Sequence, residues 1–131
     1  MSGTAIWQNE SVTDVSALMP KSGGVLENYR EKLVALSGNS PVINLNNGNV
    51  FRHTLTEDTT YSITNAVNNE AHSFTLIITQ GVSIRLLSFP ASVKWQNGEI
   101  PDMYAPDKIY VLTFMTVDGG ATWLGMFGGE F

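Results

Sequence analysis

From Pro41 to the end of the chain, apolar and polar positions alternate in short runs, and each run closes at a turn signal. Such alternation points successive side chains to opposite faces, which is the pattern of half-buried β-strands. Ser73 to Thr79 carries it most clearly. Phe74, Leu76 and Ile78 share one face, and Ile77 lies opposite between Thr75 and Thr79. Over Val50 to Leu55, Phe51, His53 and Leu55 share a face, with Arg52 and Thr54 on the other. Lys108 to Thr116 places Tyr110, Leu112 and Phe114 together, while Ile109 and Val111 fill the opposite face. A strand apolar on both faces is central in its sheet or covered by another subunit. Val42 to Leu45, Thr59 to Ile63, Ser83 to Leu87, Val93 to Trp95 and Ala121 to Phe127 bring the total to about eight strands. The turn signals are Asn46-Asn47-Gly48-Asn49, Gln80-Gly81, Gln96-Asn97-Gly98 and Asp118-Gly119-Gly120. Gly and Asn tolerate positive φ, as tight hairpin turns demand. The pattern predicts an all-β fold: a small antiparallel β-sandwich or barrel-like domain over residues 41–131. Its first hairpin joins Val42–Leu45 to Val50–Leu55, and its last joins Lys108–Thr116 to Ala121–Phe127.

The front of the chain reads differently. Residues 1–24 are small and polar and end in the breaker cluster Pro20-Lys21-Ser22-Gly23-Gly24. They read as an extended N-terminal leader that docks on something. Ile6, Trp7, Val12, Val15, Leu18 and Met19 are its apolar anchors. Trp7 fits either a plug in the domain's own core or an anchor in a partner's pocket. Residues 25–40 read as one short helix and a connector. Leu26, Tyr29, Leu33 and Leu36 form an apolar stripe at helical spacing, Glu27 can pair with Arg30, and Gly38 is a stop. The helix is marginal without tertiary contacts, and a β reading of Lys32 to Leu36 stays open.

Composition narrows the function classes. The chain has 131 residues and is 43% hydrophobic, enough for one packed domain and a leader. Only 15% are charged, well below the usual ~25%. Such a surface is either covered by a partner or built from Thr, Ser and Asn, and this chain is rich in those. Net charge is −5 and the pI is about 4.8. With seven scattered basic residues, that argues against binding a nucleic-acid backbone. There is no cysteine, hence no disulfide, thiolate metal site or Cys nucleophile. No apolar run is long enough to insert in a membrane. Met1 to Ala5 lacks the features of a secretory signal. Synthesis in a cytosol is expected.

Catalytic equipment is sparse. His53 sits on an apolar strand face and reads as a satisfied core or interface histidine, while His72 begins a strand. Neither has the further ligands that a metal site needs. Glu57-Asp58 reads as a turn. Asp102 and Asp107, in the Pro-rich loop from Ile100, together with Glu99, are the carboxylates that a small glycan hydrolase would use. Loop carboxylates are far more often solvated, so the chain reads as no enzyme and as needing no cofactor. No phosphate-binding or nucleophile-elbow motif is present. Among the aromatics, Trp123 reads as core, Trp95 as core or surface, and Trp95 and Tyr104 as candidate ligand-facing residues.

Several segments together resemble the β domain of tailed-bacteriophage structural proteins. Asn44 to Phe51 followed by Thr54-Leu55-Thr56 resembles its opening, and Ser73 to Gln80 its middle strand. Phe89-Pro90-Ala91-Ser92-Val93-Lys94-Trp95 with Gly98 and Pro101 is similar to its Trp-Pro-x-x-Val-Lys-Trp segment, with Phe89 in place of the Trp. Val111 to Phe114 and Asp118 to Gly125 resemble its terminal hairpin. Met19 to Leu26 is similar to a tail-fibre joint, Pro-x-Ser-Gly-Gly-Thr, with Val25 replacing the Thr. The resemblance covers residues 19–128. It implies a homotrimeric virion protein of the tail-fibre or baseplate type. The chain is short for a fibre, which leaves open a capsid decoration or head-fibre protein. On this reading Ile6, Trp7, Val12, Val15, Leu18 and Met19 attach the protein to tail or capsid partners. Ile109, Val111 and His53 face the trimer interface. Trp95 and Tyr104 are the residues that would face a host-surface glycan or receptor.

Overall fold

The computed structural model describes residues 22–131. The chain divides into two units, Met1–Arg30 and Glu31–Phe131. The predicted attachment residues Ile6, Trp7, Val12, Val15, Leu18 and Met19 lie outside the described residues. In residues 22–30 no strand or helix forms, and Val25, Leu26 and Tyr29 are exposed.

The second unit is built from strands, as the alternation predicts. They are β1 (Leu33–Leu36), β2 (Val42–Asn44), β3 (Val50–Thr54), β4 (Thr59–Thr60), β5 (Ser62–Thr64), β6 (His72–Thr79), β7 (Leu87–Ser88), β8 (Val93–Trp95), β9 (Ile109–Thr116) and β10 (Trp123–Glu130). One six-stranded sheet runs in the order β1-β3-β6-β9-β10-β8, and β2-β5 and β4-β7 form two small pairs.

The predicted helix from Leu26 to Leu36 does not form. Asn28 takes φ 49°, which interrupts a right-handed helix. Leu33–Leu36 pairs with β3 instead, so the β reading of this end holds. A short stripe gains little from helix formation alone, and the sheet offers it a ladder and a core.

The pairing also departs from the expected antiparallel pattern. Of seven strand pairings, five are parallel and only β6–β9 and β9–β10 are antiparallel. The predicted hairpin at Asn46-Asn47-Gly48 is a corner. Asn47 N–H donates to the Asn44 carbonyl at 2.9 Å, which tightens the bend, but the chain then enters a different sheet. Gly48 is required there. Its φ is +154°, and a Cβ would sit 3.1 Å from the Val34 side chain. Parallel neighbours need long crossovers, and here β2, and then β4 with β5, supply them. The Gln96–Gly98 turn likewise leads away from β8 without reversing onto it, because β8 pairs in parallel with β10. Asp118-Gly119-Gly120 does close a hairpin, and the two glycines have φ of 70° and 86°.

Two more predicted strands change. Thr59 to Ile63 is split at Tyr61 into β4 and β5. Most of Ser83 to Leu87 is loop, with only Leu87–Ser88 in a strand. The buried side chain of Gln80 holds that loop. Its Nε2 donates to the carbonyls of Arg85 and Met103 at 2.9 and 3.0 Å, and its Oε1 accepts the Arg85 N–H at 3.0 Å. An amide with both ends satisfied in the interior fixes a loop that has no ladder of its own.

The core lines the inward face of the sheet. Phe51 of β3, Phe74, Leu76 and Ile78 of β6, and Tyr110, Leu112 and Phe114 of β9 are buried there with Ile43, Tyr61 and Trp123. Those faces are the ones that the alternation assigns to the interior.

Candidate functional site

The opposite face of the same sheet is the candidate site. On β9, Tyr110, Leu112, Phe114 and Thr116 point inward, so Ile109, Val111, Thr113 and Met115 point outward. Register carries the pattern sideways. Val111 lies opposite Ile77 of β6, and Met115 lies opposite Leu124 of β10. Met126 follows on β10, opposite Thr113. Ile109 is 39% exposed, Met115 38% and Leu124 49%, and Val111 and Ile77 are half-buried. The result is a broad apolar strip along the centre of the outward face. Towards the β1 edge it continues into an open groove of about 600 Å³ between Leu33, Ala35, Arg52 and Ile77. Thr54, Thr75, Thr79 and Thr113 fill positions between the large side chains. Only Arg52 and Lys94 are charged on the outward strand positions, and no carboxylate stands there. The sheet therefore presents its largest uncovered surface with almost no charge, in a chain of net charge −5.

Ile109 and Val111 lie where the sequence reading puts them, on an uncovered face. His53 does not. It is 2% exposed on the inward face of β3 and belongs to the chain's own core, so its assignment to a subunit interface is corrected. Met115, Leu124 and Met126 complete the strip and were not picked out in the sequence. The signal was present, since Leu124 and Met126 alternate with Trp123 and Gly125 just as Ile109 and Val111 alternate with Tyr110 and Leu112.

His53 instead braces two parts of the core. Its Nδ1 lies 2.8 Å from the Tyr61 hydroxyl, and the rings meet edge to face at 5.6 Å. The neutral ring fits this site. Nε2–H points to the Gly38 carbonyl, and Tyr61 O–H donates to Nδ1. Burial lowers the imidazole's pKa from its ordinary 6.5, and the Gly38 carbonyl only partly offsets this. Burial also raises the Tyr61 hydroxyl, which stays protonated. The sign for stability follows. Below the ordinary value of 6.5, unfolded chains bind a proton at His53 that folded chains refuse. Stability is full above that pH and declines as pH falls through it, by at most about 1.4 kcal/mol per pH unit. Urea midpoints measured from pH 7 down to pH 5 are expected to fall, and His53→Gln is expected to flatten the dependence. Equal slopes in the two proteins would contradict this role for His53.

The candidate ligand-facing residues are largely occupied within the fold. Trp95 is half-buried. Its ring lies 5.1 Å from Phe89 and 5.5 Å from Phe114, and a Cβ on Gly125 would come within 2.8 Å of it. Tyr104 is 37% exposed, and its hydroxyl accepts the Leu87 N–H at 3.4 Å. Trp123 is 2% exposed, in the core as expected. Asp102 accepts the Tyr104 N–H at 3.2 Å as a turn residue, and Asp107, at φ 59°, sits in a bend whose N–H donates to Gly81. Asp118 is held below the usual carboxylate range, chiefly by the Thr122 N–H and then by the Thr116 hydroxyl, and it anchors the last hairpin. Among the described residues, no three His, Cys, Asp or Glu side chains are grouped to hold a metal ion, and no helix is long and apolar enough to cross a membrane. No family model, curated protein or solved structure matches this chain.

Proposed function

We propose that the protein is a structural component of a tailed-bacteriophage particle, assembled as a homotrimer through the outward face of its six-stranded sheet. The observation that carries this reading is the apolar strip of Ile77, Ile109, Val111, Met115, Leu124 and Met126. Monomeric soluble proteins seldom leave a large contiguous apolar patch in water. Three copies arranged about an axis along the strands would turn these faces inward and cover them. The finer fold proposed is a small sandwich. The β2-β5 and β4-β7 pairs form its second layer, because Tyr61 N–H donates to Ser88 O and Ser62 N–H to Pro41 O, joining them into one row. The residues that resemble tail-fibre domains favour an appendage of the tail or baseplate, and the shortness of the chain keeps capsid decoration as the second location. The leader would hold the domain on the particle through its apolar anchors, and the β domain would face outward, open to a host-surface glycan or receptor. Assembly, rather than turnover of a substrate, is the mechanism.

Immunogold labelling of purified particles tests the reading. Label at fixed positions on the tail or the head is expected. Particles that carry no label, and lack the protein by mass spectrometry, would contradict it.

A further inference from the structure

We propose that neighbouring copies join edge to edge, with the β1 side of one sheet against the β8 side of the next, and that Glu31 of one copy pairs with Lys94 of the other across this seam. The proposal rests on the trimer reading and specifies its geometry.

Two features of the topology allow such a seam. First, β1 and β8 are the outer strands of the six-stranded sheet, so each has a strand neighbour on one side only. Free edges of this kind invite pairing with another chain. Second, the two edges run in the same direction. β1, β3 and β6 are parallel to one another. β9 is antiparallel to β6 and β10 is antiparallel to β9, which returns β10 to the direction of β6. β8 is parallel to β10. Rotation about an axis along the strands preserves strand direction. A head-to-tail ring of copies therefore brings β1 and β8 together as parallel neighbours, and the ring closes without leaving an edge.

Register then places two opposite charges at one level. Lys94 lies opposite Leu124, Leu124 opposite Met115, and Met115 opposite Ser73. On the other flank Thr75 lies opposite Val50, and Val50 opposite Leu33. Two residues back along these strands, Ser73, Gly48 and Glu31 fall on the same line. Close approach supports this extension. The Lys32 carbonyl oxygen lies 3.6 Å from the position that a Cβ on Gly48 would take. Glu31 also lines a shallow recess with Asn49, Ser73 and Thr75. Glu31 and Lys94 thus sit at matching heights on opposite edges of one sheet. Both are exposed, and both belong to the outward set of positions. A ring with no slip along the axis sets each Glu31 beside the neighbour's Lys94, at the rim of the apolar strip. The alternative role for Lys94 is that of a lone edge charge that repels pairing, and the two roles predict opposite outcomes.

The absence of native cysteine makes the test clean. The full chain carrying Glu31→Cys and Lys94→Cys is treated with a short bis-maleimide linker. Covalent dimers and closed trimers are expected on denaturing gels, and neither single-cysteine variant should give them. Separately, Glu31→Lys and Lys94→Glu are each expected to raise the trimer dissociation constant about tenfold at low salt, with the double reversal returning it to within about threefold of wild type. Both residues are exposed, so the fold should survive, and circular dichroism checks that. If wild type sediments as a trimer but the double-cysteine chain stays unlinked and the reversals change nothing, the seam is wrong and the trimer stands. If Lys94→Glu tightens association by itself, the lysine guards a free edge and the seam is likewise wrong. A wild type that sediments only as a monomer removes the trimer and the seam together.

Discussion

Val111→Asp is expected to convert the trimer into folded monomers. Val111 lies in the middle of β9, the strand with neighbours β6 and β10. It faces outward, opposite Ile77 on one side and Gly129 on the other. In a single chain it is half-buried, so an aspartate there can turn its carboxylate towards water, and the inward face of β9 is left unchanged. In the proposed trimer the same carboxylate would be enclosed by the apolar strips of its neighbours, near two copies of itself. An unpaired buried charge costs several kcal/mol, and each ~1.4 kcal/mol is a tenfold change in association. Three such charges should abolish the trimer at micromolar concentration. Sedimentation gives the mass and circular dichroism the fold. A variant that remains trimeric would place the interface elsewhere. One that unfolds would show that Val111 serves the monomer's own packing.

The second large effect is on stability. Trp123→Ala is expected to cost about 3–5 kcal/mol, the range for large aromatic truncations in cores. Trp123 is 2% exposed at the start of β10, with its ring 5.1 Å from Phe74 in an edge-to-face contact. Phe74 in turn stacks on Phe114 at 4.8 Å. The indole also supports the last hairpin, since a Cβ on Gly120 would lie 3.1 Å from its Nε1. Truncation therefore opens a cavity beneath the turn that joins β9 to β10, where Thr116 and Asp118 already hold the backbone tightly and limit collapse. Urea unfolding of monomeric Val111→Asp, with and without the truncation, separates this loss from any effect on assembly. A loss under about 1 kcal/mol would mean that the site collapses freely.

The inward faces of the long strands were legible in the sequence because burial on one side of a strand imposes strict alternation. Phe74, Leu76 and Ile78, and likewise Tyr110, Leu112 and Phe114, are buried as that alternation requires. The double-sided apolar character of Lys108 to Thr116 marked the outward face as well. Connectivity was not legible. A Gly or Asn with positive φ serves a hairpin and a corner equally well, so Asn46-Asn47-Gly48 looked like a reversal and is instead a step into another layer. Parallel pairing depends on what the crossover does, and short strands such as Thr59–Thr60 carry too little pattern to announce their partners. The helix expected from Leu26 to Leu36 was lost to a tertiary contact, the ladder of Leu33–Leu36 with Val50 to His53. His53 was placed on the correct face, but the sequence could not say whether that face met the chain's own core or another copy. Tyr61, eight residues away, answers that through its hydroxyl.

Sedimentation equilibrium of the wild-type chain tests the central claim most directly. A species of three times 14.3 kDa that persists on dilution is the predicted result. A single species of 14.3 kDa at all concentrations would contradict it, and the outward face of the sheet would then need another occupant.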